Sequence, residues 1–345
     1  MELKKAIKYK HNPGGSCASV AWSGIFKHQG YNLSEADIFG LGSGLYFGYC
    51  AVGESKLFDI SLTSPNIVDD LMINTGVRGK LIQHHNNPDC LNLILKSIDN
   101  GNPVALLFNP HYCEGLIRVT PDETKKYLPT HWIVVTGYDS KAKTLTSYDN
   151  RQFNPIEISF ENFMAGRNTG LFDQNPRNFL YNVLFFDNIY PLETSIKLAI
   201  QKTCINFLDV EKITSFYVGS YGFEKCVRQI RQWNLMLSPD QLQQLLQKIY
   251  ISSTGAGGIK GGYRNLFSKF LENSASILNM PEMHKIADLF KESAYKWNLF
   301  VQKVSEYQHE YSELNWGKNS ELSNLLQQIY DLEISGFTSL RRITK

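Results

Sequence analysis

The sequence predicts an α+β half built on an antiparallel sheet, followed by an all-α half. Three observations carry that expectation. Short apolar and β-branched runs crowd together between residues 103 and 186, too close for the intervening helices of a doubly wound parallel sheet. Helical patterns precede them. From about Pro191 the texture changes: Tyr, Gln, Leu and Lys dominate and β-branched runs stop. The boundary therefore falls near residue 190, giving domains 1–190 and 191–345. A length of 345 residues suits two domains of about 100–200 residues each.

In chain order, Gly15–Lys27 reads as a helix, because Cys17, Val20, Ala21, Gly24 and Ile25 recur at helical spacing. Ser34, followed by Glu35, has the chemistry of an N-cap and starts a second helix. Asp89–Asp99 is a third. Pro103–Phe108, Trp132–Tyr138, Leu145–Tyr148, Ile156–Ser159 and Tyr181–Phe186 read as strands. In the second half, Leu192–Leu208, Gly222–Trp233, Pro239–Ile249, Tyr263–Leu278, Pro281–Glu306 and Glu321–Leu332 read as helices, interrupted by the glycine-rich Thr254–Gly262.

Composition excludes several classes. With 43% hydrophobic and 20% charged residues the chain is not largely disordered. Its net charge of +2, from 35 basic and 33 acidic residues, lacks the basic excess of a dedicated nucleic-acid binder. No apolar run approaches the ~18 residues of a membrane span. Met1–His11 has no apolar core, so no secretory signal is expected and a cytoplasmic location is. The six cysteines form no C-x-x-C pair, which argues against a structural zinc site. In such a chain most cysteines act as small buried hydrophobes.

Cys17 differs. It follows Gly14-Gly15-Ser16 and opens a helix, where free N–H groups and the helix dipole lower a thiol pKa and can face an oxyanion. His131–Asn150 reads as a hairpin turning near Ser140–Lys141, which puts His131 opposite Asp149 or Asn150. A carboxylate there would fix the imidazole tautomer and stabilise the imidazolium, leaving the other ring nitrogen for a nucleophile. Cys, then His, then Asp or Asn on the next strand is the logic of a papain-like site. Spacing alone leaves a packed core cysteine as the competing reading.

Further residues carry a resemblance. His11-Asn12-Pro13-Gly14-Gly15-Ser16-Cys17-Ala18, Leu33-Ser34-Glu35 and Ile38-Phe39-Gly40-Leu41-Gly42-Ser43-Gly44-Leu45-Tyr46-Phe47 resemble the N-terminal domain of the BtrH family of butirosin biosynthesis proteins. Gly255-Ala256-Gly257-Gly258, Gly262-Tyr263-Arg264 and Phe267 resemble, more loosely, the helical domain that follows it. The resemblance implies a papain-like fold related to double-glycine leader peptidases. It also implies a cysteine acyltransferase that moves an acyl group from a carrier-protein thioester to an amine. Similar papain-like proteins serve thiotemplated antibiotic pathways, including the closthioamide-type amide-forming members. Cys17 then matches the nucleophile, His131 the base and Asp149 the third member, with Asn150 the alternative. Papain-like peptidases place an oxyanion-binding Gln some residues before the cysteine. Here the position six before Cys17 is His11. It would donate to the oxyanion, orient the acyl donor, or be a surface histidine before a turn.

Other residues offer competing readings. Gly40-Leu41-Gly42-Ser43-Gly44 lacks both a preceding strand and a following G-K-[ST], so it is not a phosphate loop. Its glycines would allow close approach beside a cleft lined by Tyr46, Phe47 and Tyr49, or these aromatics are core. Tyr217, Tyr221, Tyr263 and Arg264 would reach the substrate from the helical half, or pack within it. His84-His85 has no partner at metal-ligand spacing and reads as a solvated loop. Lys4, Lys5, Lys8 and Lys10 would meet an acidic carrier protein, or form a solvated tail.

The expected function is an amide-forming acyltransferase that needs no cofactor or metal, because its donor arrives on the phosphopantetheine of an acyl or peptidyl carrier protein. A small amine is the acceptor, and nucleic acid and membrane are excluded as partners. A homodimer through the helical half is compatible with the sequence, though no heptad seam argues for it. Two rivals stand beside this reading: a peptidase or amidase on the same triad, and a non-enzymatic docking module of the same shell.

Overall fold

A computed structural model describes residues 4–51, 59–82, 87–113, 130–168, 180–254, 260–309 and 321–344. Its strands are β1 (Lys4–Ala6), β2 (Leu45–Cys50), β3 (Asp59–Thr63), β4 (Arg78–Ile82), β5 (Val104–Phe108), β6 (His131–Asp139), β7 (Thr144–Tyr148), β8 (Ile156–Ser159), β9 (Leu180–Phe185), β10 (Lys212–Ile213) and β11 (Phe216–Val218). Its helices are α1 (Cys17–His28), α2 (Glu35–Leu41), α3 (Ile67–Thr75), α4 (Asn87–Asp99), α5 (Phe160–Asn168), α6 (Leu192–Leu208), α7 (Gly219–Ile230), α8 (Trp233–Met236), α9 (Pro239–Thr254), α10 (Arg264–Leu278), α11 (Glu282–His309) and α12 (Glu321–Ile343). Among these residues no helix is long and apolar enough to cross a membrane.

Two compact units result. One comprises Met1–Ile38 and Gly76–Ile189, the other Phe39–Thr75 and Tyr190–Lys345. A single cut near residue 190 therefore describes the C-terminal boundary but not the whole division. Phe39–Thr75 goes with the second unit for a hydrogen-bonding reason. Its strand β2 pairs with β11, placing Tyr217 opposite Tyr49 and Val218 opposite Gly48.

The first unit is α+β. Its antiparallel sheet runs β4-β9-β5-β6-β7-β8, with β1 paired to the far half of β6. Strand β6 is central and covered on both faces. Ile133 and Val135 join a core with Leu91, Ile94, Leu95 and Ile98 of α4. Trp132 points the other way and meets Trp22 of α1 edge-on, ring centroids 6.0 Å apart. That double cover explains why the strand reads as a continuous apolar run and not as an alternation. Burial of each such Ile or Leu stabilises the unit by about 1.5–3 kcal/mol.

Helix α1 is buried from Ala18 to Phe26. Gly24 is required inside it, since a Cβ there would fall 1.8 Å from the Tyr9 hydroxyl. The hairpin of β6 and β7 turns where Asp139 Oδ1 accepts the N–H groups of Lys141 (3.0 Å) and Ala142 (2.9 Å) and Lys143 takes a positive φ of 55°.

The second unit is helical apart from a four-stranded antiparallel sheet, β10-β11-β2-β3. Its core stacks Phe47 on Phe223, centroids 3.7 Å apart, and Phe207 on Phe337 at 4.1 Å.

Candidate active site

Ser16 caps α1. Its backbone is extended and its hydroxyl accepts the Ser19 N–H at 3.3 Å, so Cys17 is the first residue of the helix. The backbone N–H groups leading into it can be accounted for one by one. Gly14 N–H donates to the Asn150 carbonyl (2.6 Å), Gly15 and Ser16 N–H donate to Glu35 Oε1 (2.9 and 2.7 Å), and Val20 N–H donates to the Ser16 carbonyl (2.9 Å). Those of Cys17 and Ala18 have no acceptor among the described residues. They are the N–H groups a helix start leaves open beside a half-buried thiol.

His131 stands at the start of β6. Its Nε2 lies 2.5 Å from Asp149 Oδ2, and its side chain also hydrogen-bonds Cys17. With Nε2 engaged by the carboxylate, Nδ1 is left for the thiol. The paired ladder of the hairpin stops at Val134 opposite Tyr148, after a register shift between Val135 and Gly137. His131 is thus not directly opposite Asp149 on the ladder. The two side chains meet past its end, held there because Arg151 N–H donates to Asp149 Oδ1 at 2.9 Å.

Asn150 has a different place. Its side-chain N–H groups donate to the carbonyls of Gly14 (3.0 Å) and Gly15 (3.1 Å), tying the hairpin end to the loop before Cys17. Of the two candidates for the third residue, Asp149 is the one on the imidazole.

The charges favour a thiolate–imidazolium pair. Burial alone pushes the Cys17 thiol up, but the His131 charge and hydrogen bond and the Trp132 backbone N–H outweigh it and leave it below the ordinary thiol range. Burial likewise opposes the His131 cation, yet the Cys17 charge and the Asp149 hydrogen bond raise its pKa well above the usual value. Asp149 is held low against its own burial by His131 and by Arg151. The other cysteines are buried. Burial pushes the thiol of Cys204 up to about 12 and that of Cys226 higher still.

Iodoacetamide is accordingly expected to alkylate Cys17 at about pH 6 roughly 30-fold faster in the native protein than in His131→Ala. Without the imidazolium, burial is opposed only by the Trp132 N–H, and the rate should climb steeply toward alkaline pH. Pseudo-first-order rates measured between about pH 5 and 9 check this. Parallel profiles would remove the ion pair.

His11 packs its ring against Tyr148 (4.8 Å between centroids), within hydrogen-bonding reach of the Asp149 and Gln152 backbones. Burial lowers its pKa, so it is a neutral ring at physiological pH. His11 Nε2, Asn150 Oδ1 and Gln152 Nε2 are buried polar atoms without a partner among the described residues. Tyr46, Tyr263 and Arg264, expected to touch substrate, are seated inside the second unit. Tyr46 is buried on β2, and burial raises its pKa to about 12. Tyr263 caps α10 in a left-handed conformation and stacks on Phe39 at 5.6 Å. Arg264 is 0% exposed and ion-pairs Glu333, so its guanidinium is committed to the interior. Phe47 and Tyr49 are core, with the Tyr49 hydroxyl donating to Gln229 Oε1 at 2.6 Å. Tyr221 is 45% exposed. Tyr217 lies beneath the ammonium groups of Lys212 and Lys225, at 4.7 and 4.0 Å.

Lys4 pairs with Asp139 across the β1–β6 ladder. His84-His85 and Gly255–Gly258 lie outside the described residues. Among the described residues no His, Cys, Asp or Glu cluster could hold a metal ion. Sequence reasoning missed Glu35 as a partner of the Gly15–Ser16 backbone; it read that residue as following an N-cap and as part of the run Leu33-Ser34-Glu35.

Comparison with known families adds two findings. The family model described as butirosin biosynthesis protein H, N-terminal, matches residues 16–150, a span that holds Cys17, His131 and Asp149. A domain of unknown function, DUF4872, matches residues 167–340. No curated protein matches the chain.

Proposed function

We propose that this chain, whose residues 16–150 belong to the family of the butirosin biosynthesis protein H N-terminal domain, is a cysteine-dependent acyltransferase of antibiotic biosynthesis that forms an amide from a carrier-protein thioester. The observation that carries the proposal is the Cys17–His131–Asp149 geometry. The Cys17 thiolate attacks the thioester carbonyl, and the oxygen gathers charge beside the Cys17 and Ala18 N–H groups. The carbon–sulfur bond to phosphopantetheine breaks, and the His131 imidazolium protonates the departing thiolate. The acyl group is now a thioester of Cys17. A small amine attacks it, His131 takes the amine proton, and the Cys17 thiolate leaves. Thiolate and imidazolium are thereby restored, and the net change is thioester plus amine to amide plus thiol. Thioester exchange is close to neutral in energy and aminolysis is downhill, so the cycle calls for no ATP, metal or further cofactor.

Asp149 keeps the ring in position and stabilises its cation. A peptidase would use the same groups with water in place of the amine. Intact-protein mass spectrometry after exposure to acylated carrier protein tests the reading. The expected result is a mass increase on Cys17 that disappears when amine is added, with amide in the supernatant. An adduct that water clears as fast as amine does would make the protein a hydrolase, and no adduct would favour a docking module.

A further inference from the structure

Glu35 stands in the first turn of α2 but serves a different helix. The start of α2 is capped by the other acid of that turn. Asp37 Oδ2 accepts the Ser34 N–H (2.9 Å) and the Ser34 hydroxyl proton (2.6 Å), and Ser34 Oγ accepts the Asp37 N–H (3.2 Å). Glu35 is left to reach back 20 residues, where Oε1 takes the Gly15 and Ser16 N–H groups together. Space is made for it at Gly14, where a Cβ would lie 2.2 Å from Oε2 and 2.6 Å from Cδ. No Lys or Arg pairs with this carboxylate among the described residues. Burial pushes its pKa up against those two N–H groups. Even a half-buried carboxylate without a cation is costly, which points to a compensating use.

The use follows from the N–H accounting. Glu35 removes two donors from the mouth of α1 and fixes the peptide planes just before Cys17. What remains open is the pair of N–H groups at Cys17 and Ala18. We infer that Glu35 is a positioning residue: it aims the Cys17 and Ala18 amides at the developing oxyanion by clamping the Gly15–Ser16 backbone. The inference rests on Cys17 being the nucleophile proposed above. It also says that the clamp is geometric, so a neutral acceptor of the same shape should serve.

Two reactions of one thiol separate this role from a merely structural one. Acylation by p-nitrophenyl acetate builds an oxyanion, forms the acetyl–Cys17 thioester and releases p-nitrophenolate. Alkylation by iodoacetamide displaces iodide at carbon and builds none. In Glu35→Ala the p-nitrophenolate burst is expected to slow ~30-fold, as a displaced oxyanion donor does, while alkylation stays within ~3-fold. Glu35→Gln, whose amide oxygen can accept both N–H groups, should keep both rates. An unchanged burst in Glu35→Ala, or acylation and alkylation falling together, would overturn the clamp. A slow burst with normal alkylation in Glu35→Gln would do the same by making the charge the active feature. Should Glu35→Ala not fold, the Gln variant alone decides between clamp and charge. A wild-type burst alongside failed carrier-protein transfer would discard the proposed donor and leave the clamp standing. A missing wild-type burst would remove the nucleophile and the clamp with it.

Discussion

Cys17→Ala is expected to lower amide formation from acylated carrier protein by ~10⁴-fold or more and to abolish the protein–acyl adduct. In the proposed cycle the sulfur is the atom that carries the acyl group between donor and amine, and the size follows from that. Every later step needs that thioester. His131 and the open amides can still polarise a bound carbonyl, which accounts for a residual rate and not for turnover. Cys17→Ser should fare little better, because the hydroxyl pKa lies too far above that of the imidazole for the ion pair to form. The variant also tests which cysteine acts. Cys50, Cys90, Cys113, Cys204 and Cys226 are all buried, and burial makes Cys204 and Cys226 weaker acids than ordinary thiols. Peptide mapping should place every acyl label on Cys17. A label on another cysteine, or a Cys17→Ala protein that retains more than about a hundredth of the rate, would end the covalent mechanism.

How much of this site could be read from sequence depended on whether the relevant contact was local. His131 and Asp149 belong to one hairpin, and alternation with turn chemistry is enough to bring them together. The expected cross-strand pairing was nevertheless off. Lys143 adopts a positive φ and the ladder shifts between Val135 and Gly137, and turn chemistry reports neither. The choice of Asp149 over Asn150 was likewise hidden. It is decided by the Asn150 amide reaching the Gly14 and Gly15 carbonyls, a contact across more than a hundred residues. Glu35 was hidden for the same reason, since nothing in the run Ser34–Asp37 says which of two acids caps α2.

The packing of the second half shows the same limit. Its helices follow from apolar spacing, and α6 was found with its bounds unchanged. The membership of Phe39–Thr75 in that unit rests on β2 pairing with β11 far along the chain. Local pattern carries no such information. The aromatic run Tyr46, Phe47, Tyr49 fits a cleft wall and a core equally well by composition. Partners decide it: Phe223 covers Phe47, while Gln229 and Trp233 meet the Tyr49 hydroxyl.

Glu333→Ala should destabilise the second unit by about 3–5 kcal/mol, the largest stability loss we expect from a single substitution. Glu333 of α12 and Arg264 of α10 are both 0% exposed. The carboxylate accepts Arg264 Nε at 2.7 Å and the Arg264 terminal nitrogen at 2.8 Å. It also accepts the Ser293 hydroxyl at 2.6 Å and the Trp297 indole N–H at 3.2 Å, both from α11. Three helices are thus fastened through one side chain. Removing it strands a guanidinium, a hydroxyl and an indole N–H where water cannot reach them, and a cavity adds to the cost. A fall of about 10 °C in the melting transition is expected, at roughly 2–4 °C per kcal/mol for a unit of this size. Replacing both charges, Arg264→Met with Glu333→Leu, should recover most of that loss, since the penalty lies in the unpaired charge more than in a missing attraction. A Glu333→Ala protein melting within about 2 °C of the parent would show that water or a rearranged partner reaches Arg264. A double variant as unstable as the single one would place the loss in the ion pair itself.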